Sequence, residues 1–277
     1  MNVTWILEPD MIGSYSPSLV DEIESQGHKV EIVPTFFTNL DWGDTHRYYD
    51  DFAPQQNCVI CHASFQFTSL VAEDELWTPG TYGINESVDC SNYLPYYSDC
   101  LLNDDYELIA LTELLNNLDA LFDSHGVNEF IFIRPNSGSK PFTGRLFERS
   151  ELNAENLCRE GILPQALLLV SRPKKILREW RFVIADRNVV AGSMYREFDT
   201  IRMSDKIPSD AIAFATTMAG RYQPDRVWVL DICETQDGKM SVVEINGFSS
   251  SNLYKCNLSD VVSAVSNIAL DDWKRHT

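Results

Sequence analysis

A predicted hairpin near the end of the chain carries two carboxylates and an amide that could meet at one point. VWVLDIC (227–233) and SVVEIN (241–246) have the composition of strands, and the Asp-Gly pair between them favours a tight turn. Glu244 and Asn246 lie two residues apart and therefore share one face of their strand, and the turn can bring Asp231 beside them. Hard oxygen donors of this kind suit Mg²⁺, which proteins usually bind through a few carboxylates together with substrate phosphates.

The same residues could instead form the polar, solvent-facing side of an antiparallel sheet, in which polar and apolar side chains alternate. Both strands are nevertheless rich in valine, at Val227, Val229, Val242 and Val243. These valines indicate a buried hairpin, and a buried carboxylate requires a partner or a metal ion. Burial therefore favours the metal site over the solvated face.

A second group of residues could bind phosphate. FIFIRP (130–135) is typical of a strand, and SGSKPFTG (137–144) after it is typical of a short flexible loop. Arg134 lies on the strand and Lys140 lies in the loop, whose backbone amides could cover phosphate oxygens together with the lysine. The pattern is not the P-loop motif. The alternative is an ordinary hairpin turn that carries a surface lysine.

A third group lies on a hairpin predicted at 179–197. Glu179 and Arg181 share one face of the first strand, and Tyr195 and Arg196 lie on the second strand. Two arginines near one hairpin could hold a phosphate or a carboxylate through paired hydrogen bonds. A salt bridge across the two strands explains the same residues equally well.

The elements that would position these groups begin with an α/β segment. NVTWILE (2–8) and HKVEIVP (28–34) are predicted strands, and the helical apolar pattern between them ends at Gly27. NCVICHASF (57–65) is predicted to be a third strand. A strand–helix–strand order is the usual beginning of an open α/β sheet.

The rest of the chain is predicted to combine loops, helices and antiparallel strands. Residues 76–104 have the composition of a loop, and 105–125 is predicted to be one amphipathic helix. The apolar stripe of this helix is Leu108, Leu111, Leu115, Leu118 and Phe122. ALLLVS (166–171) is predicted to be an apolar strand, and further helices are expected at 209–221 and from about residue 258.

The order of these motifs resembles that of the ATP-grasp family. A strand with a basic residue, a glycine-containing loop, an apolar hinge strand, an E-x-R strand and an acidic residue followed by E-x-N occur between about 128 and 277. The match is closest to a subgroup with an FxRP strand, a KxFTG loop and an EIN-F-S tail, known mainly from bacteria and their viruses. The chain departs from most members at Arg134, where lysine is usual, and after E-I-N, where Gly247 and Phe248 replace a proline-glycine turn.

The resemblance implies an α/β N-terminal domain, at 1–104, followed by an α+β ATP-grasp domain, at 105–277. After the helix at 105–125, the second domain would contain a lid subdomain at about 128–165 and a C-terminal subdomain at about 166–277. The nucleotide would lie between these two subdomains.

The resemblance also implies a ligase that uses ATP and Mg²⁺ to join a small-molecule or peptide carboxylate to an amine. The implied Mg²⁺ ligands are Asp231, Glu244 and Asn246. The implied nucleotide contacts are Arg134, Gly138, Ser139 and Lys140 at the phosphates, and Leu169, Val170, Ser171 and Glu179 along the hinge. The implied catalytic residues are Lys140, Arg181 and Arg196.

A different class of function stays open, in which the protein keeps the fold and binds ATP as a sensor or interaction module without turnover. The complete set of acidic ligands favours an enzyme. A kinase-like phosphotransferase would need an H-R-D loop and an α/β-hydrolase would need a G-x-S-x-G elbow, and the sequence contains neither.

Charge and cysteine content narrow the partners and the compartment. The net charge of −19, from 41 acidic and 22 basic residues, would repel a nucleic-acid backbone and an anionic membrane surface. No signal peptide or membrane span is predicted, and seven irregularly spaced cysteines fit reduced thiols in the cytoplasm. Cys58-x-x-Cys61-His62 could be half of a zinc site or a redox pair, but cysteines on a strand are more often small apolar core residues.

Overall fold

The computed structural model describes residues 2–8, 18–33, 57–159 and 162–276. Within them lie thirteen strands, β1 Thr4–Leu7, β2 Lys29–Ile32, β3 Cys58–His62, β4 Thr78–Gly80, β5 Glu107–Ala110, β6 Phe130–Pro135, β7 Arg145–Glu148, β8 Leu167–Ser171, β9 Ile176–Ala185, β10 Asn188–Glu197, β11 Thr200–Ser204, β12 Val227–Thr235 and β13 Met240–Gly247. The same residues form eight α-helices, α1 Ser18–Ser25, α2 Phe65–Glu73, α3 Cys90–Tyr97, α4 Leu111–Asn116, α5 Leu118–His125, α6 Ala154–Arg159, α7 Ser209–Arg221 and α8 Leu258–His276.

The strands form three sheets. Sheet A is parallel, with the order β2-β1-β3-β4. Sheet B is antiparallel, with the order β11-β10-β9-β12-β13, and sheet C is antiparallel, with the order β5-β8-β6-β7. This arrangement confirms an α/β N-terminal part followed by an α+β part with two antiparallel sheets. The exact domain boundaries stay a prediction.

Sheet A is covered on both faces, as is usual for parallel sheets with apolar strands. Trp5 and Leu7 of β1 pack with α1 and α8, whereas Ile6 faces α2 on the other side. The predicted strands at 2–8 and 28–34 are shorter than expected, and Pro34 lies outside the described residues. Phe65, the last residue of the third predicted strand, begins α2 instead, because the Ser64 side chain accepts a hydrogen bond from the Phe67 amide and caps the helix.

Sheet B lies between two helical layers, and this position creates the polar face of interest. Along β9, Trp180 and Phe182 are fully buried in a cluster with α3 and α7, whereas Val183 belongs to the cluster around α8 on the opposite face. Because side chains alternate along a strand, Arg181 lies on the same face as Val183. Neither α8 nor any other helix of the described residues is long and apolar enough to cross a membrane.

Sheet C corrects the prediction of a single helix at 105–125. The chain there forms β5, α4 and α5, with a break at Asn117, whose side chain donates to the Glu113 carbonyl oxygen. Ile109 faces the core of sheet C, while Leu108 packs toward the sheet B cluster. The apolar stripe therefore serves two surfaces, and the backbone of β5 pairs with β8 instead of closing a helical turn.

The segment at 76–104 is likewise not a simple loop. It contains β4, a short 3₁₀ turn at Glu86–Val88, and α3. Although Pro95 lies within α3, four side chains at helical spacing are buried, namely Cys90, Tyr93, Leu94 and Tyr97. Packing against sheet B outweighs the composition of the segment, since tertiary contacts provide most of the stability of short helices. The edge strand β11 was also not predicted.

Candidate active site

The hairpin of β12 and β13 brings the three predicted metal ligands together. Asp231 lies directly opposite Glu244, and a bulge follows at Val243, where the register shifts by one residue. The Asn246 side-chain amide donates to Asp231 Oδ2 at 3.3 Å and to Glu244 Oε1 at 3.1 Å. Two carboxylates and an amide therefore meet on one face of sheet B, as the spacing in the sequence predicts.

Arg181 binds the first of these carboxylates from the neighbouring strand β9. It lies opposite Asp231, and its Nε and Nη2 atoms donate to Asp231 Oδ1 and Oδ2 at 2.9 and 2.7 Å. Its Nη1 donates to the Asn252 carbonyl oxygen at 3.1 Å. Burial alone would lower the pKa of Arg181, but the Asp231 carboxylate raises it well above the usual value. The pair is a buried, forked ion pair, which is the geometry in which arginine exceeds lysine.

Two cations from sheet C and its loop bind the second carboxylate. The Arg134 Nη2 atom lies 2.9 Å from Glu244 Oε2, and Lys140 Nζ lies 2.6 Å from Glu244 Oε1. Burial would raise the pKa of Glu244, but Lys140 and Arg134 together hold it well below the usual value. Arg134 Nη1 also donates to the Tyr93 hydroxyl at 3.4 Å. Lys140 itself stays 34% exposed, so its ammonium group can still reach a ligand.

A stacked aromatic pair covers Arg181. The rings of Tyr195 and Tyr254 lie 4.9 Å apart and 13° from parallel. The Arg181 guanidinium lies 5.2 Å from the Tyr254 ring centroid and 5.9 Å from that of Tyr195. Tyr254 has φ of 50°, a left-handed conformation that residues other than glycine rarely adopt. The stack restricts the position of the guanidinium beside Asp231.

Glu179 and Arg196 form an ion pair of their own. Arg196 Nη1 donates to Glu179 Oε1 at 3.0 Å, and the Tyr195 hydroxyl donates to Glu179 Oε2 at 2.5 Å. The described contacts do not join Arg196 to Asp231 or Glu244, and its side chain is 47% exposed. The structure therefore brings Arg181 to the carboxylates and leaves Arg196 at the periphery.

A pocket of about 150 Å³ opens beside the two carboxylates. Its lining combines the loop at 137–144, sheet B, and the segment after β13, through Gly138, Ser139, Lys140, Arg181, Asn246, Gly247, Ser250 and Ser251. Phe65 and Gly83 from the N-terminal part complete the wall. The glycine loop, the metal-ligand candidates and an arginine thus face one common space.

The predicted hinge strand is more enclosed than a nucleotide-binding strand needs to be. Leu169 and Val170 are buried, and both lie in register with β5 on one side and β6 on the other. Ser171 is paired only with β6, and its hydroxyl donates to Asn103 Oδ1 at 3.0 Å. The backbone that could contact an adenine therefore begins at Ser171.

The donor set fits Mg²⁺ in an incomplete form that phosphate would complete. Within the described ranges, no three His, Cys, Asp or Glu side chains cluster to hold a metal. Asp231 and Glu244 supply two carboxylates and Asn246 supplies an amide, whose oxygen would have to turn toward the ion. Mg²⁺ is commonly bound through one or two carboxylates with phosphate and water oxygens. These three residues would hold the ion through oxygen atoms, and nucleotide phosphates would supply the remaining ligands.

Cys58 and Cys61 do not form half of a zinc site. They lie three residues apart on β3, and Cys58 belongs to the cluster around α8 while Cys61 belongs to the cluster around α2. Burial raises the pKa of Cys58 to about 12 and that of Cys61 well above its usual value. Both thiols are therefore neutral core residues on opposite faces of sheet A.

Several residues of the site were not predicted from the sequence. Tyr93 contacts Arg134, and Tyr254 covers Arg181, although neither belongs to the motifs. Asp89 accepts a hydrogen bond from the Gly138 amide at 2.7 Å. The helical spacing of buried residues in α3 was a signal for Tyr93, whereas the positions of Tyr254 and Asp89 depend on tertiary contacts alone.

A family profile for an ATP-grasp domain, describing the third family of one ATP-grasp clade, matches residues 44–265. A sequence search of curated proteins finds no match. Among solved structures, the D-alanine–D-alanine ligase from Coxiella burnetii is 10% identical with a TM-score of 0.68, covering 100% of this chain and 97% of its own. D-cycloserine synthetase DcsG is 13% identical with a TM-score of 0.62, covering 97% of this chain and 100% of its own.

The ATP-grasp ligase PsnB in complex with a minimal precursor is 11% identical with a TM-score of 0.58, covering 95% of this chain and 97% of its own. At these identities, the structures support the fold, and the profile supports the family. The profile spans the glycine loop, the E-x-R strand and the E-x-N strand, which are the motifs that converge on the pocket. The chain therefore belongs to the ATP-grasp family and is an enzyme of the ATP-grasp ligase class.

Proposed function

We propose that the protein uses Mg·ATP to join a carboxylate to an amine. The observation that supports this proposal is the convergence of Arg134, Lys140 and Arg181 on Asp231 and Glu244, beside the pocket. Three cations face two carboxylates, so the cluster carries an excess positive charge in a largely buried place. Such a cluster is suited to an anion, because buried charges require partners of opposite sign.

A nucleotide with its metal ion would balance this cluster. In our proposal, Asp231, Glu244 and Asn246 turn to Mg²⁺, while Arg134 and Lys140 transfer from Glu244 to the phosphate oxygens. When bound, Mg²⁺ would neutralise part of the phosphate charge. Gly138 and Ser139 would offer backbone amides to the same phosphates, and the base would lie near Ser171 at the end of the hinge strand.

The proposed reaction has two steps. A substrate carboxylate oxygen attacks the γ-phosphorus of ATP, the bond to the β-phosphate oxygen breaks, and ADP leaves with that electron pair. The amine nitrogen then attacks the carbonyl carbon of the acyl phosphate, loses a proton, and displaces inorganic phosphate to leave an amide. The protein contributes mainly by positioning and by neutralising charge at the transferred group. Arg181 would do this at the reacting end, where it lines the pocket.

The substrates are proposed by class only. One structural relative was solved with a precursor peptide, and others are ligases of D-alanine. We propose a small-molecule or peptide carboxylate and an amine that enter beside Ser250 and Ser251, where the pocket opens between the loop and the N-terminal part. The six described cysteines are free, which supports a reducing, cytoplasmic location.

A second candidate function, binding of ATP without turnover, is favoured by one observation. Both oxygens of Asp231 are already bound by Arg181, so one ligand of the metal site is satisfied without metal. In this case ATP would bind and order the loop, but it would not be consumed.

Turnover with a substrate panel separates the two candidates. Purified protein with Mg·ATP would be incubated with pooled amino acids, short peptides and simple amines, and ADP release and new masses would be followed together. The ligase proposal expects ADP release that depends on a pool and yields a product heavier than its acid by the amine minus water. ATP binding without ADP release in any pool would support the second candidate, and Glu244→Gln serves as the inactive control.

A further inference from the structure

The glycine loop at 137–144 is attached to α3 by hydrogen bonds in both directions. Asp89, the residue before α3, does not cap its own helix through its side chain. Its Oδ1 atom accepts instead from the Gly138 amide at 2.7 Å. In return, Asn136 accepts from the first amides of α3, with its carbonyl oxygen bound by Cys90 N at 2.9 Å and its Oδ1 by Ser91 N at 2.8 Å.

This exchange replaces the usual capping arrangement of a helix. An N-cap aspartate normally accepts from amides of its own first turn. Here the residue that precedes the glycine loop caps the helix, and the residue that precedes the helix binds the loop. Each side chain satisfies backbone amides of the other segment, so neither segment can move away without exposing unpaired donors.

The packing around Gly138 supports the same attachment. A β-carbon at this position would lie 2.4 Å from Val88 Cγ2, so only glycine lets the loop come so close to the residues before α3. Tyr93 on α3 also receives a hydrogen bond from Arg134, the basic residue of the strand that enters the loop. α3 thus contacts both the start of the loop and the strand before it.

We propose that Asp89 and Asn136 are positioning residues that hold the glycine loop ready for the phosphates of ATP. The inference rests on the proposed function, because it assigns the loop to nucleotide binding. Their contact with α3 fixes the chain up to Gly138, so that Ser139 and Lys140 begin at the wall of the pocket. Ordering a loop in advance lowers the entropy lost on binding and therefore improves affinity without a new contact to the ligand.

The negative charge of Asp89 is part of this arrangement. A carboxylate that accepts from a backbone amide forms a stronger hydrogen bond than a neutral acceptor does. Burial raises the pKa of Asp89, the Gly138 amide opposes that rise, and the neighbouring Glu86 adds to it. Asp89→Asn keeps the shape and an acceptor oxygen but removes the charge, whereas Asp89→Ala removes the acceptor as well. The graded pair separates the hydrogen bond from the charge.

The test measures amide hydrogen exchange in the loop and nucleotide binding in the same proteins. The variants are Asp89→Ala, Asp89→Asn, Asn136→Ala and the double variant Asp89→Ala with Asn136→Ala. Glu86→Gln is the matched control, because it removes an exposed acid near Asp89 that donates and accepts no side-chain hydrogen bond with the loop among the described contacts.

We expect faster exchange at Gly138 and Ser139 without nucleotide in Asp89→Ala and Asn136→Ala, an intermediate effect in Asp89→Asn, and no effect in Glu86→Gln. The Kd and KM for Mg·ATP should rise about tenfold in Asp89→Ala, as loss of one charge-assisted hydrogen bond allows. The value of kcat should change little, since a contact formed before and during reaction affects binding uniformly. The double variant should cost less than the sum of the two single variants, because the residues act together.

Unchanged loop exchange in both alanine variants, in protein that stays folded by melting temperature, would overturn the inference. So would a fall in kcat with unchanged KM, or effects in Glu86→Gln as large as in Asp89→Ala. If an alanine variant fails to fold, Asp89→Asn decides by the same measurements. Failure of the wild-type protein to bind ATP would overturn the proposed function instead, whereas the exchange experiment without nucleotide would still test the attachment.

Discussion

The two carboxylates of the site are neutralised in different ways. Asp231 is 1% exposed and is bound through both oxygens by Arg181, which lies opposite it within sheet B. Glu244 is 16% exposed and is bound by Arg134 and Lys140, which come from sheet C and its loop. One ion pair thus lies inside a single sheet, while the other joins two parts of the molecule.

This difference separates a scaffold from a contact that can exchange partners. The Asp231 pair is held by strand register and by the tyrosine stack, so it should persist whatever binds nearby. The Glu244 contacts depend on the position of sheet C and its loop, and the lysine that makes one of them is partly exposed. Glu244 can therefore exchange its cations for a metal ion when phosphate arrives, whereas Asp231 would have to share its oxygens between Arg181 and the ion.

Asp231→Asn should have the largest effect, because it affects both stability and turnover. Removal of the charge leaves Arg181 buried without a counter-ion, and breaking a buried pair usually costs about 3–5 kcal/mol. Turnover should also be lost, since a metal-ligand candidate disappears. Urea unfolding and ADP release would be measured on one preparation. A wild-type free energy of unfolding in Asp231→Asn would contradict the scaffold role of this pair.

Glu244→Gln should abolish turnover with a much smaller loss of stability. We expect turnover to fall by roughly 100-fold or more, the range found for loss of one charge-stabilising group at a reaction centre. Lys140 can turn to water and Arg134 keeps its contact with Tyr93, so the fold should tolerate the change. If the melting temperature falls as much as in Asp231→Asn, the two carboxylates are not distinct in the way described here.

Arg181→Lys should lower kcat by about tenfold with a moderate loss of stability, since lysine keeps the charge but not the fork that binds Asp231. Arg196→Lys is the matched control, because Arg196 forms a peripheral, half-exposed pair of the kind usually worth under about 1 kcal/mol. The values of kcat, KM for ATP and melting temperature would be compared for both. Unchanged kcat in Arg181→Lys with a lowered melting temperature would assign Arg181 to the scaffold alone.

Mg·ATP should slow amide exchange in the loop at Ser139 and Lys140, because the phosphates offer these residues a partner. The effect should be smaller at Gly138 and Phe142, since Asp89 already binds the first amide and the second side chain is buried in the core of sheet C. Exchange with and without nucleotide would be compared by mass spectrometry. Equal exchange in both states would argue against nucleotide binding by this loop.

Replacement of Cys58 and Cys61 by serine should have the smallest effect on activity. Both thiols are buried and neutral, so hydroxyl groups there should lower stability by about 1–3 kcal/mol each without touching the pocket. Metal analysis of the purified protein should find no zinc. Stoichiometric zinc that disappears in the double variant would contradict this assignment.

Local patterns predicted the site better than they predicted its surroundings. Glu244 and Asn246 two apart on a strand, with Asp231 across a hairpin, follow from the period of a β-strand, and their convergence is confirmed. The partners of these acids could not be assigned by spacing, because Lys140 lies 104 residues before Glu244 in the chain and Arg134 lies further away still. Only the packing of sheet C beside sheet B brings these groups together.

The misassigned elements show the same limit. The 105–125 segment has a helical apolar pattern, yet β5 forms because β8 offers it an edge. α3 contains Pro95 in a stretch that suggests a loop, yet four buried side chains hold it against sheet B. In both cases a distant part of the chain decides a local conformation, which a reading of neighbouring residues cannot include.

The binding of ATP as a function of Mg²⁺ concentration, measured by calorimetry on wild type and Glu244→Gln, tests the central claim most directly. If Glu244 exchanges its cations for the metal ion of Mg·ATP, Mg²⁺ should tighten ATP binding to the wild-type protein and should have little effect on the variant. Equal tightening by Mg²⁺ in both proteins, or ATP affinity that is independent of Mg²⁺ in the wild type, would contradict the account.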